Sequence, residues 1–185
     1  MNKSLLNPSV SEIKKNFTLY QQEILPLVAE ICTQRNDGMH GLNTHTAAVV
    51  FRGIDFALSL KQDPWPVIFA CAFHDMARTH DNHDTEHGRN AIPMAKQIMK
   101  QFNLDEQIQQ SIIFAVEHHT TGEIAPDYIS ACLWDADRTR LSWLYGYHSK
   151  YFNTQRAHMV ASSDYENYLK FQRQCFPNLS WDKIY

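Results

Sequence analysis

Residues 64–77 read PWPVIFACAFHDMA. Asp63 stands just before them, so the stretch opens on a capping side chain followed by proline in the first turn, a helix start. From there to Phe73 the residues are apolar on nearly every side. A short helix that is apolar all round forms the buried centre of a helical domain. It is far too short to cross a bilayer. Its C-terminal end carries an adjacent histidine and aspartate, His74-Asp75. Two side chains able to ligate a metal are thus set at the edge of a core.

The flanking sequence reads as helix throughout. Over 11–33, Ile13, Phe17, Tyr20, Ile24, Leu27, Val28 and Ile31 form one apolar stripe. Pro26 should kink that helix or split it. Asp37-Gly38 signals a turn. Asn43 or Thr44 is expected to cap a second helix that runs to about Leu60. The helix of 64–73 is third. RTHDNHD, from Arg78 to Asp84, is a polar loop. A fourth helix begins near Thr85 or Glu86 and runs to Phe102, with Pro93 only kinking it. Asp105 caps a fifth helix reaching His118-His119, and two more follow at roughly 127–146 and 155–175. No stretch alternates as a strand. The expectation is all-α: one domain over 1–185, a bundle of about seven helices, with a C-terminal helical extension at 145–185.

A chain of 185 residues can bury a sizeable core. Hydrophobic residues at 44% and charged residues at 20% suit a globular protein. A net charge of −3 gives no electrostatic case for duplex nucleic acid or an anionic membrane. The opening MNKSLLNPSVSEIKK lacks a secretory apolar region. Cys32, Cys71, Cys132 and Cys175 fall in apolar helical contexts, with no pair at metal or redox spacing. Buried free thiols and a cytoplasmic setting are expected.

The placement of the ten histidines is informative. Neutral imidazole and ionised carboxylate bind borderline divalent metals. On a helix, adjacent residues such as His74 and Asp75 project about 100° apart, so both reach one ion beside its end. His45 starts the second helix, where a cap role is the alternative. Asp137 lies four residues after Leu133, on the apolar side of its helix. A carboxylate buried there must be paired, with Arg138 or Arg140 available, or must bind a metal. Asp135 points the other way and reads as surface or as support for a ligand. His119 continues the apolar series Ile108, Ile112, Ala115, Val116, and His118 lies on an adjoining face. Both could instead be complements to a helix C-terminus. His87 opens the fourth helix, where a neutral imidazole is favoured. His80 and His83 read as exposed, and His148 and His158 show no partner pattern.

In order, His45, His74-Asp75 and Asp137 resemble the H…HD…D signature of the HD-domain superfamily. HGLNTH with TAAVV is similar to that family's first-histidine segment, AFHDMAR to its LHDIGR/K motif, and WDADRTRL to its final-aspartate segment. The resemblance runs from His40 to about Leu144, the expected metal-site core at about 40–144. It implies an α-helical bundle with metal-dependent phosphohydrolysis. His87, His118 and His119 extend it to the H…HD…H…HH…D set of dinuclear members. The GYP element of the cyclic-dinucleotide branch is absent, since TTGEIAPDY follows His119, and the usual RLD or RLH tail is RTR here. Cleavage of cyclic dinucleotides is therefore not implied.

The resemblance implies His45, His74, Asp75 and Asp137 for a first ion. It implies His87, His118 and His119, with Asp75 bridging, for a second. The ion would be Mn, Ni, Co, Zn, Mg or Fe. Asp75 is also expected in catalysis. Arg78, four residues after His74, is the expected contact to phosphate in the transition state, or else pairs with Asp81 or Asp84. His40 is a candidate phosphate contact or proton donor. A small phosphate ester is the expected partner, and the sequence leaves room for a homodimer. Two other readings share these residues: an HD-type dinuclear iron oxygenase and a non-catalytic ligand-sensing module. Aromatic residues crowd the C-terminal third (Trp143, Tyr145, Tyr147, Tyr151, Phe152, Tyr165, Tyr168, Phe171), as a pocket wall, core or dimer surface.

Overall fold

The computed structural model describes residues 8–32, 40–81, 84–179 and 181. The Asp37-Gly38 turn and His83 lie outside them. Among the described residues there is no strand, and no helix is long and apolar enough to cross a membrane.

Ser9 caps α1 (Val10–Leu19) through its hydroxyl. The chain passes through a π-helical stretch, Tyr20–Ile24, into α2 (Leu25–Ile31). Pro26 causes the change: it has no N–H to donate, and its ring crowds the preceding turn. A second π-helical turn, Leu42–Thr46, leads into α3 (Ala47–Ser59). Neither Asn43 nor Thr44 caps it, contrary to expectation. Gly41 precedes the turn, and the Thr44 hydroxyl donates back to the Gly41 carbonyl.

Asp63 caps α4 (Pro64–Phe73) by accepting from the Trp65 N–H at 2.9 Å. Every α4 residue except Trp65 is buried. Full burial contributes ~1.5–3 kcal/mol for each large apolar side chain. Helices α3, α6 (Glu106–Glu117) and α7 (Tyr128–Tyr145) pack around α4. Between α4 and α6 comes α5 (His87–Met99), which carries Pro93 within it.

The expected helix at 155–175 is two, α8 (Gln155–Ala161) and α9 (Tyr165–Cys175). Ser162 and Ser163 turn the chain, and Asp164 caps α9 through the Glu166 N–H. Counting α1–α2 as one rod, the described residues form eight α-helical rods against about seven expected.

From Phe152 onward the chain contributes side chains to the core. Phe152, Ala157, Val160, Tyr168, Leu169 and Trp181 join the cluster that holds Ile13, Phe51 and Phe69. Asp55, fully buried on α3, accepts from Arg156 Nε at 3.1 Å on both oxygens and from the Tyr168 hydroxyl at 2.9 Å. Asp135 is also fully buried. Its oxygens accept from the N–H groups of Asn153 and Thr154, at 2.9 and 2.7 Å. Asp135 is thus neither surface nor support for a ligand; it anchors the segment before α8. Cys71, Cys132 and Cys175 are buried free thiols, and Cys32 is half-buried.

Candidate metal centre

The apolar run of α4 delivers His74 as its C-cap and Asp75 just beyond, both buried. His45 comes from the π-helical turn before α3 and Asp137 from the middle of α7. His87 is the first residue of α5, and His119 follows the last turn of α6. Five segments therefore converge on one point.

Two groups share Asp75. On one side, Asp75 Oδ2 lies 3.4 Å from His74 Nε2 and 3.8 Å from His45 Nε2. Asp137 Oδ1 lies 3.1 Å from His45 Nε2 and 4.0 Å from His74 Nε2. On the other side, Asp75 Oδ1 lies 2.9 Å from His87 Nε2 and 3.8 Å from His119 Nε2. His45, His74 and Asp137 have the spacing of a metal-ligand set, and so do Asp75, His87 and His119.

The ring orientations follow from the second nitrogens. His74 Nδ1 is 2.7 Å from the Cys71 carbonyl, His87 Nδ1 2.6 Å from Asp84 O, and His119 Nδ1 2.7 Å from Val116 O. A carbonyl only accepts, so each Nδ1 donates and a neutral ring turns its Nε2 lone pair inward. His87 and His119 then set two Nε2 atoms 2.8 Å apart. Two lone pairs at that distance repel unless a proton or cation lies between them. The donor set therefore fits divalent ions.

The charge states agree. Burial alone would raise Asp75, but the nearby His74, together with the close His40 and His87 rings, holds it well below the usual carboxylate range. Burial would likewise raise Asp137, but the His45 hydrogen bond and the nearby His74 and His119 bring it below that range. Burial, reinforced by His74, pushes His119 down to about 4 against the pull of Asp75 and Asp137. Ionised carboxylates beside a neutral imidazole are what metal ligation requires.

Arg78 reaches the cluster. Its Nε donates to Asp75 Oδ1 at 3.2 Å, and Nη2 lies 3.3 Å from His87 Nε2. His40 sets Nδ1 3.0 Å from Asp75 Oδ2, with its ring edge-on to His45. His40, His45 and Asp75 form a third possible ligand group, a role for His40 that the sequence reading did not include. His118 is not in any of these groups among the described residues. It is the C-cap of α6, half-buried, with its ring 4.5 Å from Phe114. Arg138 donates to the carbonyls of His119, Gly122 and Tyr151 rather than serving as the ion-pair partner that was the alternative to a metal at Asp137. His80 and His148 are exposed, and His158 meets the Tyr147 hydroxyl at 2.6 Å.

Gly88 also escaped the sequence reading. A Cβ there would lie 2.5 Å from the Val116 carbonyl and 3.0 Å from His119 Nδ1. Only glycine lets the start of α5 come close enough for His87 to meet His119. Its one legible signal is that it follows His87.

A family model described as the HD domain matches residues 42–155. The fold is similar to a crystal structure described as a predicted HD superfamily hydrolase from an uncultured Thermotogales bacterium. That likeness has a TM-score of 0.63 and 23% identity, over 84% of this chain and 90% of the other. At that identity it speaks for the fold alone. No curated protein matches the chain.

Proposed function

The chain belongs to the HD-domain family, and on that premise we propose that it is a metal-dependent phosphohydrolase acting on a nucleotide or another small phosphate ester. The observation that carries this reading is Asp75, whose two oxygens face separate groups of inward-turned histidine nitrogens. His45, His74, Asp137 and Asp75 Oδ2 would hold one ion. His87, His119 and Asp75 Oδ1 would hold a second. Once bound, the ions supply a hydroxide nucleophile near neutral pH and draw charge from the phosphoryl oxygen.

The remaining work falls to the chain. Arg78, beside Asp75, can turn its planar guanidinium to two phosphate oxygens and stabilise charge as it develops. In the hydrolysis a water oxygen bonds to phosphorus, the ester P–O bond breaks, and the departing oxygen takes up a proton. His40, 21% exposed at the edge of the cluster, is the candidate for that proton or for a further phosphate contact. Two cationic or proton-bearing groups beside the cluster favour hydrolysis over oxygen activation.

The test is elemental analysis of protein purified without chelators or affinity-tag metals, followed by phosphate release with the metal found. One or two Mn, Ni, Co, Mg or Zn ions per chain with turnover would support the hydrolase. About two irons per chain with O₂ consumption and no phosphate release would replace it by the oxygenase reading. Asp75→Ala should cost more metal affinity than the ~10–100-fold loss typical of groups that only support a ligand. If Asp75→Ala or His74→Ala keeps full metal content and full activity, the mechanism is wrong.

A further inference from the structure

α7 and the segment after His119 form a half-open cavity of about 340 Å³, a size typical of small-molecule sites. Arg138, Leu141, Ser142 and Tyr145 lie on one stripe of α7 and form its floor. Thr120 to Glu123 make one wall, and Tyr151 and Phe152 another.

Two links tie this cavity to the cluster. Leu141, 50% exposed, stands one turn beyond Asp137 on the same side of α7. It lines the cavity. Arg138, the residue after Asp137, holds the His119 and Gly122 carbonyls. The wall is pinned to the backbone that carries His119.

The lining fits a neutral ring. It contributes aromatic faces from Tyr145, Tyr151 and Phe152, with hydroxyls from Thr120, Thr121 and Ser142. It has no lysine, its one arginine lies near Glu123, and its one histidine, His148, is exposed. The Arg138 guanidinium already serves backbone carbonyls and lies 5.5 Å over the Trp134 ring. A second phosphate would find little to hold it here. An aromatic ring would find stacking faces, with hydroxyls for its polar edge.

We propose that this cavity receives the leaving group of the substrate, a neutral planar aromatic group, while the phosphate lies at the histidine–aspartate cluster. The inference rests on the phosphohydrolase reading and narrows its substrate class.

The test compares benzyl phosphate with ethyl phosphate, whose departing alcohols are of similar basicity, on the metal-loaded full chain. Burying a ring should favour benzyl phosphate by roughly tenfold or more in kcat/KM, mostly through KM. Leu141→Trp, which fills the cavity, and Tyr145→Ala, which removes an aromatic face, should each pull that ratio toward one. Both side chains are exposed, so both variants should fold. Equal kcat/KM for the two esters, or a ratio that neither variant moves, would overturn the assignment and leave the hydrolase reading standing. Turnover of neither ester would count against the hydrolase reading itself. Amide NMR shifts then decide the cavity: movement of Gly122 and Gly146 with benzyl but not ethyl phosphate supports it, and identical shifts overturn it.

Discussion

Asp135 and Asp137 leave α7 on different sides. The first meets the N–H groups of Asn153 and Thr154, and the second meets His45 at 3.1 Å. The contrast extends to their neighbourhoods. Around Asp55 and Asp135, buried carboxylates are matched by permanent donors: the Arg156 guanidinium, the Tyr168 hydroxyl and backbone N–H groups. Around Asp75 and Asp137, carboxylates lie among imidazole nitrogens, and the other ring nitrogens of His74, His87 and His119 are committed to carbonyls. A buried acid with permanent donors is complete and holds the fold together. A buried acid among inward lone pairs gains further from a cation, at the cost of stability without one.

The sharpest way to break the comparison is Asp55→Ala. It leaves Arg156 and the Tyr168 hydroxyl buried without their carboxylate, a loss of ~3–5 kcal/mol. Urea unfolding at saturating metal should show that loss, while metal content per folded chain stays at the wild-type value. A variant that keeps its stability but loses metal would exchange the roles assigned to the two regions.

Reading the sequence located the second region far better than the first. His74 and Asp75 were legible because an apolar run fixes where α4 ends. His119 and Asp137 were legible because each continues a helical stripe of buried residues. Asp135 misled because its partners lie 18 residues away in an irregular segment, where no periodicity reports direction. The Asp55–Arg156 pair spans 101 residues and joins two ordinary-looking helical positions. Ser162-Ser163-Asp164 did carry a cap signal for α9, hidden by apolar spacing that continued across the break. The π-helical turns left no trace in the apolar spacing. The turn before α3 delivers His45 to the cluster.

A smaller effect separates the regions by pH. His119 has a folded pKa of about 4 against an ordinary 6.5. Between those values the unfolded chain takes up a proton that the folded chain refuses, so stability falls as pH drops through that window. Above about 6.5 this histidine contributes no pH dependence. The full loss is ~3 kcal/mol by pH 4, with Asp75 and Asp137 adding to it at lower pH as they protonate. Denaturant midpoints of chelator-treated protein at pH 7 and 4.5 measure it. A flat profile would mean that His119 is not held as a buried neutral ring.

The smallest expected effect belongs to His118→Ala. Its ring packs on the partly exposed Phe114, its backbone N–H ends α6, and it is in none of the ligand groups among the described residues. Stability should change by no more than about 0.5 kcal/mol, as for most surface substitutions. Metal content and metal affinity should match the wild type, because His119 supplies the inward Nε2 of that segment. Isothermal titration with Mn decides it. A lost ion in His118→Ala would mean that the backbone after Glu117 rotates on loading and brings both histidines to the cluster. The centre would then be assembled by its ions, and only the Asp55 and Asp135 region would be fixed in advance.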